Sequence, residues 1–317
     1  LVKGGNYLET LARTQTVVFD KTGTLTQGKF SVTQILPQGM EEGELLEKAA
    51  LAEGYSTHPI SQAIRRQAGE LDLSRLGEVE ELAGMGVRAQ VDGRAVLAGN
   101  RKLMAHFAIP LPQGEDPVGT VVHVAVDGVY AGCLVIADQV KPGAAEALEQ
   151  LKKAGVSRTV MLTGDAPQVG EAVGRALGLD QVHAGLLPGD KVEWVERLLA
   201  EKAPGTALAF VGDGINDAPV LSRADVGVAM GAMGSDAAIE AADVVLMDDD
   251  LSKLPQAVAI ARKTLRVVKE NTIFAIGIKL AVLVLSAFGL VGLWWAVFAD
   301  VGVSVLAILN ASRMLRS

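Results

Sequence analysis

The chain has 317 residues, 50% of them hydrophobic, with a formal net charge of −8 and a single cysteine. This length can bury the cores of two or three domains without disulfides or a structural metal. Cys133 alone excludes an intrachain disulfide framework and a cysteine-rich metal site, and the acidic balance argues against nucleic acid as the main partner.

Short apolar runs that end in Asp, Thr or Gly alternate with helical stretches along much of the chain. Strands are predicted over 16–20, 159–163, 207–213, 226–230 and 244–247, with helices over 142–155 and 190–202. Near-continuous apolar strands between helices predict a parallel sheet that is covered on both faces. Ligands of such sheets bind at the carboxyl ends of the strands, so the polar residues that end these strands are the candidates for chemistry.

Residues 29–133 have a different sequence pattern, which predicts an α+β domain inserted into the sheet domain. The sheet domain comprises residues 1–28 and 134–256. Helices are predicted over 41–53 and after Pro59, and strands over 87–91, 95–98, 121–126 and 129–135. The Asp-Gly pairs at 92–93 and 127–128 lie between alternating apolar residues, a pattern that is typical of tight β-hairpins.

The last segment, residues 257–317, contains apolar runs over 273–290 and 293–309. Each run is about long enough to span ~30 Å of hydrocarbon, which predicts a transmembrane helical hairpin; a buried hairpin of a soluble protein is the alternative. Basic residues flank its outer ends and place both of them in the cytoplasm. Lys279 and Asp300 lie inside the runs at depths of roughly 18 and 14 Å from the turn.

The chemistry-bearing residues follow the predicted strands. Asp20 begins a loop of small and hydroxyl residues, which is a good site for a carboxylate nucleophile whose loop receives phosphate oxygens. A lysine and paired carboxylates near such a site suit phosphoryl transfer with an oxygen-loving cation such as Mg²⁺. The candidates are Asp20, Thr22, Thr24, Thr163, Gly164, Asp165, Lys191, Asp213 and Asp217.

The motifs DKTGTLT at 20–26, TGD at 163–165 and GDGINDAP at 212–219 resemble, in this order, those of the P-type ATPases. These enzymes belong to the haloacid-dehalogenase-like superfamily. The resemblance implies a Rossmannoid phosphorylation domain in which Asp20 attacks the γ-phosphate of ATP, while Thr163 and Lys191 hold that phosphate. It further implies a Mg²⁺ site with these ligands and supporting residues: Asp20, the Thr22 carbonyl, Asp213, Asn216 and Asp217.

Thr22 occupies the position where soluble phosphatases of the superfamily carry a second Asp as general acid and base. Without a local base, the aspartyl phosphate is expected to persist, as a pump requires. A soluble phosphatase of this superfamily and a non-catalytic remnant of a pump are the alternative interpretations.

The inserted domain resembles the nucleotide-binding domain of the heavy-metal branch of P-type ATPases. His58-Pro59 and Glu53 match its His-Pro motif, and two glycine signatures follow. The resemblance implies that Glu53 and His58 bind adenine and that the glycines let the backbone approach the base and ribose. The glycine signatures are Gly84, Gly86, Gly99 and the adjoining Asn100.

Lys279 and Asp300 resemble the pattern of the zinc-, cadmium- and lead-exporting subgroup, which implies Asp300 as a ligand of the transported cation and Lys279 as its counter-ion. A carboxylate suits Zn²⁺ and Cd²⁺, whereas Cu⁺ prefers sulfur, so a copper exporter is the less favoured alternative. The resemblance implies a multi-pass protein of the cell membrane with cytoplasmic phosphorylation and nucleotide-binding domains. It also implies that this chain is the C-terminal half of a pump, without the actuator domain and about six earlier membrane helices.

Overall fold

The computed structural model describes residues 1–112, 114, 117–214, 217–231 and 236–316. Its strands are β1 (Thr14–Asp20), β2 (Thr26–Pro37), β3 (Leu76–Leu82), β4 (Gly86–Val91), β5 (Arg94–Gly99), β6 (Thr120–Val126), β7 (Val129–Val140), β8 (Arg158–Leu162), β9 (Gln181–His183), β10 (Ala207–Gly212), β11 (Val226–Met230) and β12 (Val244–Leu246). Its α-helices are α1 (Gly5–Ala12), α2 (Glu42–Ala52), α3 (Pro59–Ala68), α4 (Arg101–His106), α5 (Ala144–Lys153), α6 (Pro167–Leu177), α7 (Pro188–Glu201), α8 (Ala218–Arg223), α9 (Asp236–Ala241), α10 (Lys253–Ala287), α11 (Leu293–Val297) and α12 (Val303–Ala311).

The first sheet is parallel throughout its described strands, in the order β12-β11-β10-β1-β8-β9. Successive residues of β1 point to opposite faces: Val17 and Phe19 join a core with α1, α5 and α10, whereas Val18 joins a core with α7 and α8. Burial on both faces explains the continuous apolar runs, and each fully buried large side chain contributes about 1.5–3 kcal/mol to folding. The predicted doubly covered α/β sheet is therefore confirmed.

The second sheet is antiparallel, in the order β2-β7-β6-β5-β4-β3. Helices α2 and α3 pack on one face and α4 on the other. Both predicted Asp-Gly hairpins form, with positive φ at both central residues: 53° and 75° at Asp92 and Gly93, 48° and 80° at Asp127 and Gly128. Two positive φ values give the turn a twist that matches that of the flanking strands.

The two sheets are joined through β2 and β7, which pair along their length from Thr26–Val140 to Pro37–Gly132. The predicted domain boundaries, after residues 28 and 133, fall inside these two strands rather than between elements. Strand β2 is not predicted from the sequence. Most of its residues are exposed or half-buried, so that it lacks a clear apolar run.

Helix α10 is 35 residues long and joins the parallel sheet to the apolar C-terminal segment. Its first half packs Leu254, Val258 and Ala261 into the core of that sheet. Among the described residues it is the one helix that is long and apolar enough to cross a membrane, with a mean hydropathy of 1.6 in a window of which 0% is buried. The second predicted run is helical too, but a π-helical turn, Phe298–Gly302, separates α11 from α12.

Candidate active site

Asp20 is the last residue of β1, and the turn Lys21–Leu25 begins directly after it. Gly23 adopts a φ of 74°, a value that favours glycine, and so lets the chain reverse in this short turn. Asp20 is only 6% exposed. Thr24 is buried, and its hydroxyl finds no hydrogen-bond partner among the described residues. A buried hydroxyl is costly until a ligand or water satisfies it, which fits a turn that receives an oxyanion.

Strand register brings the other predicted residues to the same edge of the sheet. Leu162 of β8 pairs with Asp20, so that Thr163 comes next at the carboxyl end. On the other side of β1, strand β10 ends at Gly212, and Asp213 follows. The nucleophile candidate is therefore flanked by a hydroxyl from one neighbouring strand end and a carboxylate from the other.

Lys191 bridges two buried carboxylates. It lies in the first turn of α7, and its Nζ is 2.5 Å from Oδ1 of Asp20 and 3.0 Å from Oδ1 of Asp217. The three side chains are 14%, 9% and 3% exposed, so that the attraction acts in a largely water-excluded environment.

These contacts shift the protonation equilibria of all three groups. Burial, together with the charge of Asp217, raises the pKa of Asp20 to about 6, although Lys191 acts in the opposite direction. Burial also raises the pKa of Asp217 above its ordinary value. For Lys191, burial lowers the pKa, but the carboxylates of Asp20 and Asp217 outweigh it, and the net pKa is raised.

Lys21 organises the TGD segment, a role that sequence reasoning missed. Its buried ammonium pairs with Asp165 and lies 4.0 Å from Oδ2 of Asp138. Thr163 donates its hydroxyl to Oδ2 of Asp165 at 3.0 Å, and the Asp165 N–H donates back to the Thr163 Oγ1 at 3.2 Å. A Cβ on Gly164 would lie 3.1 Å from the Leu186 carbonyl oxygen, so this position is tightly packed.

Asp213 is the proposed Mg²⁺ residue that the structure places against the Gly23 turn. A Cβ on Gly23 would lie 3.4 Å from Oδ2 of Asp213, which places that carboxylate against the turn that follows Asp20. Within the described ranges, no group of three or more His, Cys, Asp or Glu side chains is arranged to hold a metal. Mg²⁺ commonly uses one or two carboxylates and completes its shell with waters and substrate phosphates, so Asp20, Asp213 and the Thr22 carbonyl fit it.

The Asp217 carboxylate, like that of Asp20, is engaged by Lys191. Oδ1 accepts from Lys191, and Oδ2 lies 3.0 Å from where a Cβ on Gly212 would stand. Gly212 therefore makes room for the buried Asp217 side chain. Asn216 lies outside the described residues.

Lys141 is a second residue that sequence reasoning missed. Its buried Nζ donates to the Gly23 carbonyl oxygen at 2.6 Å and to Oδ1 of Asp249 at 2.5 Å. Nothing in the local sequence marks this lysine, because its partners are a backbone oxygen and an acid more than a hundred positions away.

A cavity of about 300 Å³ lies in the inserted domain, and the residues predicted to bind nucleotide line it. Its lining includes Glu53, His58, Gly84, Gly86, Gly99 and Asn100. The Nδ1 atom of His58 accepts a hydrogen bond from the Ile60 N–H at 3.3 Å, which leaves the Nε2 side of the ring for a ligand.

Two glycines of this cavity serve the sheet itself. Gly86 and Gly99 are directly paired on β4 and β5. A Cβ on Gly86 would lie 2.3 Å from the Ala98 carbonyl oxygen, and one on Gly99 would lie 2.3 Å from that of Met85. The glycines thus allow the two strands to approach each other. Asn100 caps α4, accepting from Lys102 and Leu103 N–H groups, and donates to the Gly84 carbonyl at 2.9 Å.

In the C-terminal segment, Lys279 of α10 meets Asp300 of the π-helical turn, with Nζ 2.9 Å from Oδ1. Both residues line a cavity of about 540 Å³ between the helices. The π-helical turn offsets the register of the second helix at the position of this carboxylate, a feature that often accompanies functional sites.

A protein-family model matches the part of the chain that contains most of the parallel sheet. The model of the haloacid dehalogenase-like hydrolases matches residues 14–225, from the first residue of β1 to the residue just before β11.

The chain is also similar over its whole length to metal-transporting ATPases. A cadmium, zinc and cobalt-transporting ATPase of Bacillus subtilis is 53% identical, with 100% of this chain and 45% of the relative covered. A zinc-transporting ATPase of Synechocystis is 52% identical, with 100% and 44% covered. The crystal structure of a zinc-transporting PIB-type ATPase in an E2.Pi state superposes with a TM-score of 0.87 at 41% identity, covering 99% of this chain and 52% of that chain.

The resemblance to heavy-metal P-type ATPases that the motifs predict is therefore confirmed. The chain spans about half the length of the curated relatives that it matches.

Proposed function

Because the chain belongs to the haloacid dehalogenase-like hydrolase family, we propose that it supplies the phosphorylation and nucleotide-binding units of an ATP-driven heavy-metal pump. The cargo is a divalent cation: Zn²⁺, Cd²⁺ or Pb²⁺. The observation that carries the proposal is the position of Asp20, a buried carboxylate at a strand end with Lys191 Nζ 2.5 Å away. Such a carboxylate suits the formation of a covalent phospho-intermediate.

In the proposed reaction, an Oδ atom of Asp20 attacks the γ-phosphorus of ATP. The bond between that phosphorus and the oxygen bridging it to the β-phosphate breaks, and ADP leaves with the electron pair. Lys191 neutralises charge on the transferred group, and Thr163 with the Gly164 N–H holds its oxygens. Lys21 keeps Asp165 in place beside Thr163. Positioning and charge neutralisation supply most of the catalysis in phosphoryl transfer.

Mg²⁺ would be held by Asp20, Asp213 and the Thr22 carbonyl, and when bound it neutralises charge on the phosphate oxygens. Asp217 positions Lys191, whose Nζ lies 3.0 Å from Oδ1 of Asp217. Thr22 has no carboxylate that could act as a general base and activate a water molecule. The aspartyl phosphate is therefore expected to last long enough to drive a conformational step. A soluble phosphatase would release phosphate rapidly instead.

ATP would bind with its adenine in the cavity that Glu53 and His58 line, and with its phosphates toward Asp20. The apolar C-terminal segment would lie in the cell membrane, with both sheet domains in the cytoplasm. There Asp300 would bind the cation and Lys279 would take its place as counter-ion when the site is empty.

The phosphorylation step is tested by incubating the purified chain with γ-³²P-ATP and Mg²⁺. We expect an acid-stable, hydroxylamine-labile label that is lost in Asp20→Asn and retained in Asp138→Asn at a reduced level. Rapid release of free phosphate with no trapped label would favour a phosphatase and contradict the proposal.

The cargo is tested in a chimera in which this chain replaces the matching segment of a full-length relative, reconstituted in vesicles. Zn²⁺, Cd²⁺ or Pb²⁺ should stimulate ATP hydrolysis, and Asp300→Ala should abolish the stimulation. Stimulation by Cu⁺ that survives Asp300→Ala would overturn the choice of a divalent cation and favour a copper exporter.

A further inference from the structure

The nucleotide cavity has one polar wall, built where α2 ends and α3 begins. Glu53, Ser56, His58 and Ser61 lie on this wall, and Glu53 and Ser61 are 6% and 3% exposed. A carboxylate this buried needs a hydrogen-bond donor, and the Ser61 hydroxyl on this wall provides one.

The hydrogen bonds form one continuous series. The Ser61 hydroxyl lies 2.7 Å from Oε2 of Glu53 and 3.0 Å from Oγ of Ser56, and the His58 N–H donates to Ser56 Oγ at 3.3 Å. A hydroxyl has only one proton to donate. If Ser61 donates to the ionised Glu53, it must accept from Ser56, whose own oxygen accepts from His58.

The direction of the series is therefore fixed by the backbone N–H of His58 at one end and the carboxylate at the other. Within the described part of the chain, the Ser61 hydroxyl donates to Oε2 of Glu53 and no donor reaches Oε1. Oε1 is the oxygen left for a ligand, and in the ionised state it can only accept.

We propose that Ser56 and Ser61 form a hydroxyl relay that keeps Glu53 a hydrogen-bond acceptor and thereby selects adenine over guanine. This inference rests on the proposed function, in which the cavity binds the base of ATP. The amino group on C6 of adenine is a donor and matches an acceptor, whereas the oxygen on C6 of guanine is itself an acceptor and would be repelled. A site that presents the wrong hydrogen-bonding partner discriminates strongly between close analogues.

The charges around Glu53 act on the same carboxylate. Burial raises its pKa, the Ser61 hydrogen bond lowers it, and His58, Glu81 and Arg65 are the charged or titratable groups that face it. Arg65 also donates to the Glu53 carbonyl oxygen at 2.9 Å, which anchors the backbone. Loss of the Ser61 hydroxyl removes the hydrogen bond that lowers the pKa of Glu53, so that the raising effect of burial dominates more strongly. Glu53 would then take up a proton at higher pH and become a donor on one oxygen.

The test measures ATP and GTP binding by the full chain in detergent, by calorimetry, for wild type, Ser61→Ala and Ser61→Thr. Ser61→Ala should lower the affinity for ATP about tenfold. It should also reduce the ratio of ATP affinity to GTP affinity by a similar factor. The pH below which ATP affinity falls should shift upward. Ser61→Thr keeps a hydroxyl and should restore the ratio and the pH profile.

Ser74→Ala is the matched control, because Ser74 donates to the exposed Asp72 at 2.6 Å, outside the cavity. Ser56→Ala should change the ratio in the same direction by less, and it provides a second reading if Ser61→Ala fails to fold. A Ser61→Ala protein that folds but keeps the wild-type ratio and pH profile would overturn the relay. A wild-type chain that binds neither nucleotide would instead contradict the proposed function.

Discussion

Lys141 donates a hydrogen bond from Nζ to the carbonyl oxygen of Gly23, 2.6 Å away, in the turn that follows Asp20. The same ammonium bonds Oδ1 of Asp249 at 2.5 Å, so the turn is tied to a distant loop. Because small displacements at a reacting carboxylate are costly, we predict that Lys141→Met lowers the rate of phosphorylation from ATP by about tenfold or more. Lys29 is exposed and lines the adjoining cavity, so Lys29→Met is the control. Equal rates in both variants would contradict this assignment.

Replacement of Lys191 by Gln should remove the cation that two buried carboxylates share. The expected loss of folding free energy is about 3 kcal/mol, because Asp20 and Asp217 are left buried without a partner. Urea unfolding provides the measurement, and phosphorylation should fall below detection. Lys202→Gln breaks the more exposed ion pair with Asp225 and should cost about 1 kcal/mol or less. A Lys191→Gln protein as stable as Lys202→Gln would argue against the bridge.

Arg262 of α10 should stabilise the junction between the parallel sheet and the apolar segment. Its guanidinium donates to the carbonyl oxygen of Ala12, at the end of α1, at 3.0 Å and to that of Thr14, at the start of β1, at 2.7 Å. Burial lowers the pKa of Arg262. Arg262→Met leaves these carbonyls without their donor and should destabilise the chain by about 2 kcal/mol in thermal unfolding. The exposed neighbour Lys263 offers the control Lys263→Met, which should be neutral; matching losses would refute the role given to Arg262.

Gly99→Ala should distort the nucleotide cavity. The added Cβ would lie 2.3 Å from the Met85 carbonyl oxygen, which is backbone and cannot turn aside. We expect a loss of about 2–3 kcal/mol in stability and weaker ATP binding, since β4 and β5 must separate. Gly43→Ala on α2, where a Cβ meets nothing within 4 Å, should stabilise slightly. Unchanged ATP affinity in Gly99→Ala would count against the close strand approach.

The parallel sheet was predictable because its strands are buried on both faces, and the hairpins because Asp-Gly pairs tolerate positive φ. The position of Asp20, Thr163 and Asp213 followed from the rule that strand ends of a parallel sheet meet at one edge. Strand β2 was not predictable from a pattern, since its exposed residues carry no apolar alternation.

Side-chain partnerships across the fold were harder to predict than strand ends. Lys21 and Lys141 bind groups that become neighbours only when β1, β7 and the following loops are assembled. The glycines at 86 and 99 are predicted to let the backbone approach the base and ribose, and they line the cavity; the close approach of β4 and β5 at these positions was not predicted. Asn100 carried a readable signal, because Asn before a helical run is a common N-cap.

The central claim is that Asp20 itself becomes phosphorylated. The most direct measurement is borohydride reduction of the chain after reaction with ATP and Mg²⁺, followed by mass spectrometry of the peptide that contains residues 14–29. Reduction converts an aspartyl phosphate to homoserine, so we predict homoserine at position 20 in the wild type and none in the Asp20→Asn variant. An unmodified Asp20 together with phosphate on Thr22, Thr24 or another residue would contradict the account.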